Sequence, residues 1–107
     1  MNDWQVIMTD TAKCDLREIA LGINEISGSL DTAIGFVMEL KDQCDILATL
    51  PETGSIPKDY VLKALGYRYL VHKHLVFYTI DSSEHKVYIH AFFNEKLDYF
   101  RFMRKRI

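Results

Sequence analysis

The stretch Gly66–Phe93, GYRYLVHKHLVFYTIDSSEHKVYIHAFF, decides the fold. Its runs Tyr67–Val71, His74–Ile80 and Val87–Phe93 are rich in Val, Ile, Tyr and Phe, whose branched or aromatic side chains suit a pleated surface. Polar breaks separate them at His72-Lys73 and from Ser82 to Lys86. Links this short join antiparallel neighbours only, so the stretch predicts a three-strand meander. It also concentrates the candidate chemistry, because Arg68, His72, His74, His90 and several tyrosines lie within it.

Upstream, Trp4 to Met8 reads as a short first strand, and Thr9, Asp10 and Thr11 offer N-cap side chains. Ala12, Leu16, Ile19, Ala20, Ile23 and Ile26 then follow at helical spacing, and Gly28 is placed to end that helix in the left-handed conformation. Ser29 or Asp31 can cap a second helix with Ala33, Phe36, Val37, Leu40, Cys44 and Leu47 on one face. Pro51 stops it, and PETGSIP reads as a loop. Lys58 to Leu65 fits either a helical turn or an extended entry into the sheet. Downstream, Asn94 can cap a last helix with Leu97, Phe100 and Met103 inward and Lys96, Arg101, Arg104, Lys105 and Arg106 elsewhere on it. The expected fold is therefore α+β: an N-terminal strand, an α-helical hairpin packed on an antiparallel β-sheet meander, and a C-terminal helix.

A chain of 107 residues makes one domain, spanning 1–107, able to bury roughly 60–70% of its unfolded surface without disulfide or metal. No apolar run is long enough for a membrane span, and MNDWQVIMTD lacks the basic and apolar segments of a signal peptide, so a cytoplasmic protein is expected. Cys14 and Cys44 sit in helical patterns without zinc-ligand spacing and are expected reduced and buried. The histidines have no acidic or thiol partner at ligand spacing, and phosphate-binding glycine loops are missing, so neither metal nor cofactor is expected. The net charge of −2 argues against a surface that grips a polyanion everywhere.

Period-two alternation sorts the meander into two faces. With Leu75, Phe77, Val87, Ile89, Tyr67, Tyr69 and Val71 turned to the helices, the open face carries Arg68, His72, His74, Tyr78, Tyr88 and His90. Such a set can bind a phosphate, pass protons and stack a base. On a half-exposed sheet the same residues also serve as ordinary cross-strand pairs. The basic C-terminal helix has two readings as well. Its cations complement the helix dipole, or they meet an anionic partner such as RNA or an acidic peptide.

The order TDTAKCDLREI, TAIGFVMEL, LATLPETGSIP, LGYRYLV, HLVFYTID, VYIHAFF and LDYFRFM resembles the RelE/ParE toxin superfamily of bacterial type II toxin–antitoxin systems over nearly the whole chain. The resemblance implies a toxin neutralised by a cognate antitoxin, free to form a homodimer or a hetero-oligomer. It implies one of two targets, mRNA cleaved on the ribosome or DNA gyrase, or else a degenerate module that keeps antitoxin binding alone. Cleavage of mRNA is the first expectation, which would make the chain an endoribonuclease. Arg68 would then hold the phosphate, His72, His74 or His90 carry the proton, and Tyr78 or Tyr99 stack or orient. Lys96, Arg101, Arg104, Lys105 and Arg106 would contact the partner or RNA. Two arginine positions of nuclease members fall at Leu75 and Ala91, which removes charge that phosphodiester cleavage needs.

Overall fold

The computed structural model describes residues 4–71, 74–94 and 99–107. Strand β1 (Gln5–Met8) leads into helices α1 (Asp10–Ser27) and α2 (Leu30–Cys44), and α3 (Tyr60–Ala64) precedes strands β2 (Arg68–Val71), β3 (His74–Asp81) and β4 (Lys86–Asn94). Helix α4 (Tyr99–Lys105) closes the chain. The meander forms as expected, and β1 adds beside β4 in parallel, giving the order β1-β4-β3-β2.

Local chemistry explains the boundaries. Thr9 Oγ1 accepts from the Ala12 amide at 3.2 Å, and Ser29 Oγ accepts from Thr32 at 3.2 Å; each such cap stabilises a helix by about 1 kcal/mol. Gly28 ends α1 at φ 68° and donates its amide to Asn24, a conformation that costs an L-residue with a Cβ more than glycine. The segment open between helix and strand becomes α3 because Asp59 Oδ1 accepts from Val61 and Leu62 at 3.0 and 3.1 Å, while Leu62 is fully buried. At the β3–β4 turn, Asp81 accepts from Ser83 Oγ and the Glu84 amide, and these bonds hold its carboxyl below the usual range. Trp4 stacks on His85 at 3.9 Å there, tying the start of β1 to the turn.

Both faces of the sheet are packed. Ala12, Leu16, Leu40, Cys44 and Leu47 of the helical side meet Val76, Tyr78, Val87, Ile89 and Phe92 on one face. On the other, Leu62 of α3 and Met103 of α4 cover Tyr67, Leu75, Phe77, Ala91 and Phe93. This second core corrects the expected parity. His74, Val76 and Tyr78 belong to the helical-hairpin face, and Leu75 and Phe77 to the α3–α4 face. Arg68, paired with Tyr78, and Leu70, paired with Val76, follow β3 to the hairpin side, leaving Tyr69 and Val71 opposite. Leu75 through Phe77 offer no polar alternation because both sides of β3 are buried. A bulge adds a second correction. Phe77 pairs Ala91 but Tyr78 pairs Ile89, so His90 is the extra residue, and Phe92 returns to the hairpin side instead of pointing away with it.

Two smaller expectations also change. Cys44 is buried, and burial first, then the neighbouring Asp45 charge, pushes its thiol up to about 12; Cys14 is exposed on α1 rather than buried. Ile26, expected on the apolar face of α1, is 91% exposed at the far end of the hairpin. Among the described residues, no helix is long and apolar enough to cross a membrane.

Candidate functional site

The candidate catalytic side chains that are described, Arg68, His74, Tyr78 and His90, do not converge on one open face. Arg68 and Tyr78 are brought together as a cross-strand pair on the hairpin side, where both hold the segment from Pro51 to Gly54. The Tyr78 hydroxyl donates to the Pro51 carbonyl at 2.6 Å and accepts from the Gly54 amide at 2.9 Å. Its side chain is fully buried, and burial raises its pKa. Arg68 Nη1 donates to the carbonyls of Glu52 at 3.3 Å and Gly54 at 3.2 Å. This arrangement gives the pair a clasp: an aromatic ring in the core, a cation at the rim, and backbone carbonyls as their acceptors.

His74 lies on the same face toward the opposite end of β3. Its ring meets the edge of Phe36 at 5.4 Å and lines a groove with Ile19, Gly22, Ile23 and Ile26 of α1. His72 and Lys96 lie outside the described residues. Tyr99 opens α4, and only its backbone is described.

His90 stands apart on the α3–α4 side. Its Nε2 shares a 2.8 Å hydrogen bond with Thr79 Oγ1, and the Tyr67 ring crosses it edge-on at 5.1 Å. Burial pushes His90 below its ordinary 6.5 and Tyr67 above its ordinary 10.0. The neutral imidazole is favoured because nothing beside it repays the loss of water around a cation. These two rings, Thr9, Thr11, Met103 and Arg106 line a pocket of about 210 Å³. Imidazole, phenol, hydroxyls and guanidinium meet here, so this is the one place among the described candidates where proton exchange and anion contact come close together.

Arg106 is already engaged there. Its Nη1 and Nη2 donate to Asp15 at 2.8 and 2.9 Å, its guanidinium lies 4.6 Å from the Phe93 ring centre, and Asp15 Oδ2 also accepts from the Phe92 amide at 3.0 Å. The bond to Asp15 raises the Arg106 pKa, since it is made by the charged form. Arg104 Nε lies 3.7 Å from Asp59 at the start of α3, whereas Arg101 and Lys105 are exposed. The basic helix expected as one partner surface is therefore split between an internal latch and outward cations.

Sequence reasoning did not foresee the exposed apolar surface of α3. Tyr60 is 82% exposed, and Lys58, Val61, Lys63 and Leu65 are exposed around it, next to α4. The available signal was that Lys58 to Leu65 holds four large hydrophobic residues, of which a single helical turn can bury only one or two.

The family described as ParE toxin of type II toxin-antitoxin system, parDE, matches residues 6–99. A solved structure titled as the chromosomal ParDE TA system from P. aeruginosa superposes with a TM-score of 0.69 at 17% identity, over 85% of this chain and 95% of that one. That likeness is one of fold. No curated protein sequence matches this one.

Proposed function

The chain belongs to the ParE toxin family of type II toxin–antitoxin systems, and from that premise we propose that it arrests growth by binding DNA gyrase stoichiometrically, without cleaving RNA. A cognate antitoxin silences it. Such an action takes place in the cytoplasm, where gyrase works.

One observation carries the choice of target. The strand arginine best placed to hold a phosphate, Arg68, turns Nη1 of its guanidinium to the carbonyls of Glu52 and Gly54, on the opposite side of the sheet from His90. Phosphodiester cleavage needs positive charge at the phosphate and a proton carrier within about 3 Å of the reacting oxygens. Leu75 and Ala91, which the resemblance aligns with arginines often found in nuclease members, are both buried under α3 and α4. An inhibitor that acts by binding requires no such convergence. The antitoxin is supported by family membership and by Leu30, Ile34 and Met38, a line of exposed apolar side chains down α2 that a protein partner can cover.

The mRNA-cleavage reading keeps one specific support, the pocket that gathers His90, Tyr67 and Arg106. The two are separated by brief induction of the chain without antitoxin. Gyrase inhibition predicts growth arrest, loss of plasmid negative supercoiling and no new mRNA 5′ ends, and the purified chain inhibits supercoiling by purified gyrase. New 5′ ends within translated codons, lost on His90→Ala, would replace it with cleavage.

A further inference from the structure

We infer that α3 and α4 together form the surface that grips the target, and that its occupant is a segment of a partner protein carrying acidic side chains among aliphatic ones. The identity of that partner as gyrase rests on the reading above. The surface itself rests on how charge and apolar area are divided across the fold.

From Lys58 onward the chain carries ten Lys and Arg against five Asp and Glu; before Lys58 it carries three against ten, which together make the totals of 13 and 15. Topology turns this sequence asymmetry into a spatial one. The acidic hairpin packs on one face of the sheet, and α3 and α4 pack on the other. These two short helices adjoin, because Leu62 and Met103 share a core and Arg104 reaches Asp59. On and beside α3, Lys58, Lys63, Tyr60 and Leu65 are exposed, and α4 adds the exposed Arg101 and Lys105.

Leaving Tyr60 82% exposed and Leu65 54% exposed gives up the burial that holds such side chains in cores. The Asp59 cap and buried Leu62 hold α3 in place beside α4. A nucleic-acid face would gain most from cations alone. Tyrosine and leucine between cations suit a protein segment whose carboxylates pair with the lysines while its aliphatic groups cover the apolar area. The net charge of −2 favours the same occupant, because the opposite side of the molecule repels a long polyanion.

The test uses the full chain. Supercoiling inhibition, binding to each gyrase subunit without DNA, and binding to a short random-sequence DNA duplex are read side by side. Lys63→Glu and Tyr60→Ala are each expected to raise the concentration for half-inhibition about tenfold at unchanged melting temperature. Lys63→Arg should restore inhibition, and Glu25→Lys on the hairpin should leave it at the parent value. A folded Lys63→Glu/Tyr60→Ala double variant that inhibits like the parent overturns the inference. So does a chain that binds the duplex but neither subunit and loses the duplex with Lys63→Glu. If the parent fails to inhibit gyrase, the gyrase reading falls by itself, and growth arrest decides the surface: arrest lost in the double variant supports it, and arrest retained overturns it.

Discussion

The hydroxyl of Tyr78 donates to the carbonyl of Pro51 across 2.6 Å, joining the buried middle of β3 to a loop 27 residues earlier in the chain. The same oxygen accepts from Gly54, so one buried atom satisfies a backbone acceptor and a backbone donor. Removing it leaves both unpaired inside the protein. Tyr78→Phe is therefore expected to lower unfolding stability by about 1–3 kcal/mol, read as a shift of the urea midpoint at constant m-value. Gly54→Ala should act on the same joint. A Cβ there would lie 2.8 Å from the Tyr69 carbonyl oxygen and against the Tyr78 ring, and overpacking of this kind costs about 1–3 kcal/mol. Both variants should retain growth arrest at permissive temperature.

Arg68 tests the division between structure and catalysis more directly. Its donors to Glu52 and Gly54 predict that Arg68→Ala loses about 1 kcal/mol of stability and keeps its toxicity once expression is matched. A phosphate-holding arginine would behave otherwise: charge stabilisation of the transition state is worth several kcal/mol, and toxicity would fall a hundredfold or more on the order of magnitude such groups contribute. Growth arrest titrated against induction, with thermal melting of the purified variant, distinguishes the two.

His90 gives the protein a pH-dependent stability whose sign follows from its surroundings. Burial lowers its folded-state pKa below 6.5, so the unfolded chain takes up a proton first as the solution is acidified. Its contribution is intact above 6.5 and is lost as the pH falls from there toward the depressed folded value. Urea midpoints at about pH 7.5 and about pH 5.5 should therefore separate in the parent, and His90→Gln should narrow the gap. An unchanged gap would mean that the imidazole is accessible to protons in the folded state.

Much of this fold is legible in the residues. The caps Thr9 and Ser29, the stop at Gly28 and the runs of the meander all act locally, so their chemistry is written beside the elements they bound. What the chain does not display is which face of β3 meets the helical hairpin, since Leu75, Val76, Phe77 and Tyr78 are all buried and alternation exists only where one side meets water. The answer is set by α3 and α4, and α3 is only five residues long. The candidate site inherits this difficulty. Once β3 is turned over, Arg68 and Tyr78 go with the hairpin face, and the bulge at His90 keeps that histidine opposite them. Asp15 carried no signal at all, because its partners, the Phe92 amide and Arg106, lie 77 and 91 residues away.

That carboxylate is what latches the C-terminal helix to the body of the protein. Asp15 receives two guanidinium hydrogen bonds from Arg106 and the Phe92 amide from β4, and its side chain is only 14% exposed against 32% for Arg106. Asp15→Ala leaves a half-buried guanidinium and a backbone amide without this acceptor, at an expected cost of about 2–3 kcal/mol. Asp15→Asn preserves an oxygen for the amide but loses the ionic fork, so about 1 kcal/mol is expected. Arg106→Ala removes the cation yet leaves the carboxylate able to take water at its exposed side, and its cost should fall below that of Asp15→Ala. A double-mutant cycle across the pair should show coupling of about 1 kcal/mol, and trypsin should cut after Arg101 and Arg104 faster in every variant that loses the fork. Equal cleavage rates in parent and Asp15→Ala would mean that the fork does not hold the helix down.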